Sequence, residues 1–258
     1  MKDVRTFIGV DLGGGKGKNT AVARLELGDD GASVRVADYG TGQGFDDLLV
    51  EFLRKHAEHS ILAIDAPLTL PACVRCVEPS CPTLDACQVP VVSWFRTQAN
   101  GTLKPGTKPK YTPYTQRASE VLLHEEHGIL PRETLGQGMG PLTARAQYLR
   151  RALGDCYRLD ENLIEVYPKA TLTKLFPADV AQYKRSARSR DTRLHILNQL
   201  STTLTFALGQ WREHAIDNDH KFDAIICAYT AYLWWRDECV SPPSDTVRTD
   251  GWIWFPRS

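Results

Sequence analysis

Three aspartates stand where a carboxylate could act on a phosphate or a metal ion. Asp11 ends the short apolar run Phe7–Val10 and is followed at once by glycines, which allow a tight turn and close backbone approach beside the acid. Asp65 closes a second such run, Ile61–Ala66. Asp223 belongs to His220-x-x-Asp223-Ala224, at the opening of the last strongly apolar helix, where a spacing of three puts His220 and Asp223 on one face. An acid at a strand end also serves in turns, and one in a first helical turn also caps. The functional reading has this helix aim Asp223 at the two strand ends.

A second constellation is Cys73-x2-Cys76-x4-Cys81-x5-Cys87, four thiols within fifteen residues of a proline-rich stretch. They can reach one tetrahedral ion, and both Zn²⁺ and an iron–sulfur cluster accept four cysteines. Only the first pair has the short gap of a zinc ribbon, so unligated thiols are the third alternative. Cys156, Cys227 and Cys239 read as buried apolar fillers. Gly136-Gln-Gly-Met-Gly140 follows no recognisable strand, so it reads as a loop rather than a dinucleotide site. Trp234, Trp235, Trp252 and Trp254 read as packing for the C-terminal segment rather than as base-stacking groups.

The elements that must position these groups follow from hydrophobic period. Thr6–Ala23 starts a hairpin, Ala32–Tyr39 alternates as a third strand, and Phe45–His59 carries Leu48, Leu49, Phe52 and Leu53 at helical spacing. Ile61–Ala66 is a fourth, buried strand. Pro67–Pro113 is irregular and too long for an idle loop. Helices are expected over Thr115–His127, from Pro141 to about Cys156, over Lys169–Phe176, Arg190–Leu200 and Phe222–Asp237, with a fifth strand at Asn162–Tyr167. Arg185–Arg193 reads as a solvated helix start.

Lys plus Arg and Asp plus Glu are 31 each, so no global field draws the chain to nucleic acid or membrane. The longest apolar run, Ala224–Trp235, is 12 residues, too short to span a bilayer. MKDVRTF lacks the apolar core of a signal peptide, and seven cysteines do not suggest a disulfide framework. A cytoplasmic protein is expected, with no membrane partner.

Hairpin, third strand, helix and fourth strand, with acids ending strands one and four and another on a C-terminal helix, resemble the ribonuclease H-like fold. The last element is similar to that of the Holliday-junction resolvase branch. Gly9-Val-Asp-Leu12, Ile64-Asp-Ala-Pro-Leu68, Arg117-Ala-Ser-Glu120, Glu165-Val-Tyr-Pro168, Phe222-Asp-Ala224, Cys227-Ala-Tyr-Thr-Ala231 and Asp250-Gly-Trp-Ile-Trp-Phe-Pro256 occur in order along nearly the whole chain. In these stretches the chain resembles a family described as predicted RNase H-like nucleases, domain of unknown function 429.

The resemblance implies an α/β fold: a mixed five-stranded sheet flanked by helices, in one domain over 1–258 with a cysteine-rich insertion at about 69–113. It implies a metal-dependent nuclease in which Asp11, Asp65 and Asp223 hold Mg²⁺ or Mn²⁺, with Glu165 and Glu120 as further acids and His220 orienting a ligand or water. Lys16, Lys18 and Arg117 would meet substrate phosphates. Two other classes share the pattern: an actin- or hexokinase-type phosphotransferase, disfavoured because Ile64-Asp-Ala-Pro-Leu68 lacks phosphate-loop glycines, and a non-catalytic nucleic-acid-binding protein.

Overall fold

The computed structural model describes residues 4–14, 20–29, 31–39, 44–101, 104, 107–204 and 206–258. Its elements follow the order β1 (Thr6–Asp11), β2 (Thr20–Gly28), β3 (Gly31–Tyr39), α1 (Phe45–Lys55), β4 (Ser60–Asp65), α2 (Pro90–Trp94), a π-helical turn (Phe95–Ala99) and α3 (Ala118–His127). There follow α4 (Gly140–Ala152), β5 (Leu163–Val166), α5 (Pro168–Leu175), α6 (Ser189–Thr203), β6 (Phe206–Ala207), α7 (Trp211–Asp217), α8 (Asp219–Trp235), α9 (Asp245–Asp250) and β7 (Ile253–Trp254). No described helix is long and apolar enough to cross a membrane.

The strands form one mixed sheet in the order β6-β3-β2-β1-β4-β5-β7. Among the described residues the sheet has seven strands rather than the expected five. The five long ones are central, and two-residue strands extend the sheet at each edge. Two residues are too few for alternation to register in a sequence.

Alternation along the central strands sorts two cores. Phe7, Ala23, Ile61 and Ala63 share one packed cluster with α8, whereas Ile8, Val10, Leu62 and Ile64 share another with α1 and α4. Helix α8 lies across β1, β2 and β4, and every side chain from Phe222 to Leu233 is buried. Gly9 makes this contact possible. A Cβ there would stand 2.1 Å from the Ala224 carbonyl oxygen and 2.3 Å from the Ala228 nitrogen. Only a residue without a side chain lets the two backbones approach so closely.

Several boundaries differ from expectation for local reasons. Helix α3 begins three residues later than Thr115, because Arg117 is still extended at φ −108° and ψ 160°. The insertion is not wholly irregular: Pro90 starts α2, and Val91, Val92 and Phe95 bury one face of it and of the π-helical turn. The tryptophan expectation is met at the C-terminus, where Trp252 and Trp254 are buried and Trp254 packs edge-on against Trp234 at 5.6 Å.

Candidate metal centre

Parallel pairing of β1 with β4 sets Asp11 directly beside Asp65. Both belong to the face of the sheet that carries Phe7, Ile61 and Ala63, so both acids point toward α8. From α8 comes Asp223. One carboxylate oxygen from each of the three lies within 4.8 Å of the others, and among the described residues this is the group of potential metal ligands drawn so close.

Asp223 is not a first-turn acid. Helix α8 starts at Asp219, and Asn218 caps it by accepting hydrogen bonds from the backbone N–H groups of His220 (2.9 Å) and Lys221 (3.1 Å). The capping role is therefore filled by another residue, and Asp223 lies in the second turn at 1 % exposure.

The partners of the three acids are few. His220 Nδ1 donates to Asp11 Oδ2 at 2.6 Å. Lys184, from the loop between α5 and α6, donates to Asp223 Oδ2, and its ammonium stands 3.8 Å from Asp219 Oδ2. Asp223 Oδ1 is buried with no hydrogen-bond partner among the described residues. Asp65 has no hydrogen-bond or ion-pair partner among the described residues. Orphaned buried carboxylate oxygens are rare in a settled fold, and three hard oxygen donors converging on one point suit a divalent cation.

Electrostatics express the same shortage. Burial, then the Asp11 and Asp223 charges, push the Asp65 pKa well above the usual carboxylate range. Burial also raises Asp223; Lys184 opposes this, and Asp11 adds to it. The hydrogen bond to Asp11 raises His220, against a smaller opposing effect of burial. Burial works against the Lys184 ammonium, yet Asp223 and its neighbours hold its pKa above the ordinary lysine value. Burial, followed by the Asp65 charge, lifts the Tyr167 hydroxyl to about 12.

Glu165 and Glu120 belong to a different assembly. Glu165 is in register with Ile64, not Asp65, and so points to the opposite face of the sheet. Arg117 grips it with two 2.6 Å hydrogen bonds and donates through Nε to Glu120 at 2.9 Å. The Leu68 backbone N–H also donates to Glu165, and the Thr134 backbone N–H donates to Glu120 at 3.1 Å. Arg117 is 1 % exposed, so its guanidinium is committed to these acids and to Thr69 rather than open to a substrate. The network continues to Asp250, which accepts from the Ala118 N–H (2.7 Å) and from Arg75 (2.6 Å), a residue of the cysteine stretch.

Lys16 and Lys18 lie outside the described residues. Cys73, Cys76, Cys81 and Cys87 are all free thiols, the middle two exposed. Burial raises the Cys73 thiol, and Cys87, Cys81 and Cys76 each add to the effect, in that order. Cys227 and Cys239 are buried as fillers, while Cys156 is half-buried.

A cleft of about 280 Å³ opens beside the triad, lined by Asp11, Asp65, Tyr167, Lys184, Arg132 and the Arg117–Glu165 pair, among others. Lys184, Arg132 and Tyr167 were not singled out as site residues. Tyr167 stood inside a recognised stretch, and Lys184 immediately precedes the basic run Arg185–Arg193, but neither signal marks a site by itself.

No curated protein and no solved structure matches the chain. A family model described as "Protein of unknown function (DUF429)" matches residues 9–248, and the chain belongs to that family.

Proposed function

We propose that this protein is a divalent-metal-dependent phosphodiester hydrolase of ribonuclease H-like type acting on nucleic acid. The observation that carries the reading is the convergence of Asp11, Asp65 and Asp223 from two strands and a helix, with Asp223 Oδ1 left unpartnered. Oxygen-only donors favour Mg²⁺ or Mn²⁺. Such an ion would supply Lewis-acid polarisation of the phosphodiester and a lowered pKa for an attacking water.

The remaining roles fall to side chains of the chain itself. Asp11, Asp65 and Asp223 fix the reacting centre at the carboxyl ends of the central strands β1 and β4. His220, held to Asp11 through Nδ1, keeps Nε2 free to orient water or exchange a proton. Arg132 and Lys184 bring positive charge to the cleft, and Lys16 and Lys18 remain assigned to substrate phosphates. Arg117, Glu165 and Glu120 hold the chain after β4, through the Leu68 N–H and Thr69, and so position Asp65 from behind.

The test is cleavage of labelled single-stranded, duplex and branched DNA and RNA with Mg²⁺ or Mn²⁺, by wild type beside Asp11→Asn and Asp65→Asn. Cutting that disappears in both variants supports the reading; inactivity of folded, metal-loaded wild type on every substrate sinks it. The neutral charge balance and the small cleft favour, as a second reading, a small nucleotide or other phosphoester. Release of phosphate or nucleoside from short substrates would point there.

For the cysteine stretch we propose a structural Zn²⁺ that gathers the four thiols on binding; among the described residues only the aspartate triad, and not these thiols, already has three ligand atoms within 4.8 Å of one another. Among the described residues Cys76–Thr83 makes no backbone–backbone hydrogen bond, and it is exposed throughout, so a metal cross-link would supply order that the backbone lacks. Stoichiometric zinc in purified protein, lost in Cys81→Ser, is expected; iron with labile sulfide would replace zinc by a cluster.

A further inference from the structure

We propose that Lys184 is the resident counter-cation of the acidic site, released from Asp223 to Asp219 when a divalent ion binds. The inference rests on the metal-site reading above. Asp223 is nearly inaccessible, yet one of its oxygens has no partner and the other is held by the Lys184 ammonium. The three ligand oxygens fall within 4.8 Å, so an ion bound among them would stand beside that ammonium. Two cations at such a distance in a partly desolvated cleft repel strongly, and a divalent ion holding three carboxylates outcompetes a lysine holding one.

The geometry provides both a pivot and a destination. The Tyr183 backbone is fixed: its carbonyl accepts from Arg193 Nη1 at 2.6 Å, and Arg193 Nε donates to the Ile216 carbonyl at 2.7 Å. The buried Tyr183 ring packs on Phe222 at 5.7 Å, one residue from Asp223. Movement is therefore confined to the four-carbon lysine stem, which is flexible. One turn toward the start of α8, Asp219 offers a half-buried carboxylate already 3.8 Å from the ammonium. Lys184 thus has a metal-free position on Asp223 and a metal-bound position on Asp219.

Two measurements on the full chain test this. Calorimetric titration with Mn²⁺ should give about tenfold tighter binding for Lys184→Met than for wild type, because the competing cation is gone. Acylation of wild-type Lys184 by an amine reagent, read by mass spectrometry, should accelerate when Mn²⁺ is added and stay slow in Asp11→Asn. Mn²⁺ binding that Lys184→Met weakens or leaves unchanged overturns the inference and leaves the metal site standing. Unaltered Lys184 reactivity in Mn²⁺-loaded wild type does the same without relying on the variant. Absence of Mn²⁺ binding by wild type overturns both the metal site and the counter-cation.

Discussion

Two sets of buried acids meet at one end of the sheet, and they are treated oppositely. Glu165 and Glu120 share a single guanidinium, three backbone N–H groups and the Thr134 hydroxyl. Asp11, Asp65 and Asp223 share one histidine and one lysine, and one of their oxygens is buried without a partner. The first set is complete as it stands. The second leaves a demand for positive charge that a further cation could meet. Burial alone therefore does not mark a functional acid; the unmet demand for hydrogen bonds and positive charge does.

Removing the cation from the complete set should have the largest effect. Arg117→Leu leaves two buried glutamates facing each other and should destabilise the chain by about 3–5 kcal/mol, read from urea denaturation. The comparison fails if Arg117→Leu unfolds at the same urea concentration as wild type. Prising α8 from β1 comes next. Gly9→Ala, whose methyl would overlap the Ala224 carbonyl, should cost about 1–3 kcal/mol and weaken Mn²⁺ binding together with stability.

Removing an acid should give opposite signs at the two places. Asp65→Asn takes charge from a repulsive cluster and should stabilise the metal-free chain by about 1 kcal/mol while abolishing stabilisation by Mn²⁺. Glu165→Gln, by contrast, should destabilise with or without the ion. A thermal melt of each variant with EDTA and then with Mn²⁺ decides this, and equal signs at both positions would erase the distinction.

The smallest effect is on pH dependence. Asp65 and Asp223 are raised in the folded state, so from about pH 4 upward the metal-free folded chain holds protons that the unfolded chain has lost. Stability in EDTA should therefore fall as pH rises from the ordinary carboxylate range to the raised values. His220, also raised, contributes in the same direction at higher pH, where its folded-state proton is lost. Mn²⁺ affinity should climb across the carboxylate window, because binding expels those protons. Urea midpoints and Mn²⁺ titrations at a series of pH values would check both slopes.

The sequence carried the strands and the acids at their ends, because burial on both faces of β1 and β4 leaves continuous apolar runs that stop abruptly at Asp11 and Asp65. It carried His220 beside the acids through helical spacing. What it did not carry was face. Glu165 lies one residue from the end of a buried strand, close to where Asp65 stands in its own, and only the register with Ile64 turns it away from the triad. Nor could spacing identify Lys184, which reaches Asp223 from 39 residues away out of an irregular loop. Asn218 displaced Asp223 from the capping role because the helix begins three residues before Phe222, in a polar stretch that carries no periodic signal.

The contact at Gly9 has one more consequence. Because backbone meets backbone there, the separation between the strand-borne acids and the helix-borne one is set by main-chain atoms that have no rotamers to exchange. Two walls of the site thus behave as a fixed jaw, with Asp11 and Asp65 locked in neighbouring strands and Asp223 on a helix that cannot retreat without unpacking the core. On the function proposed above, accommodation of ions or phosphates of different size would then come from the opposite side, where loop residues such as Lys184 and Arg132 line the cleft. Selectivity for the metal would reside in the rigid half of this protein and selectivity for the substrate in its loops, so each could be altered with little disturbance to the other.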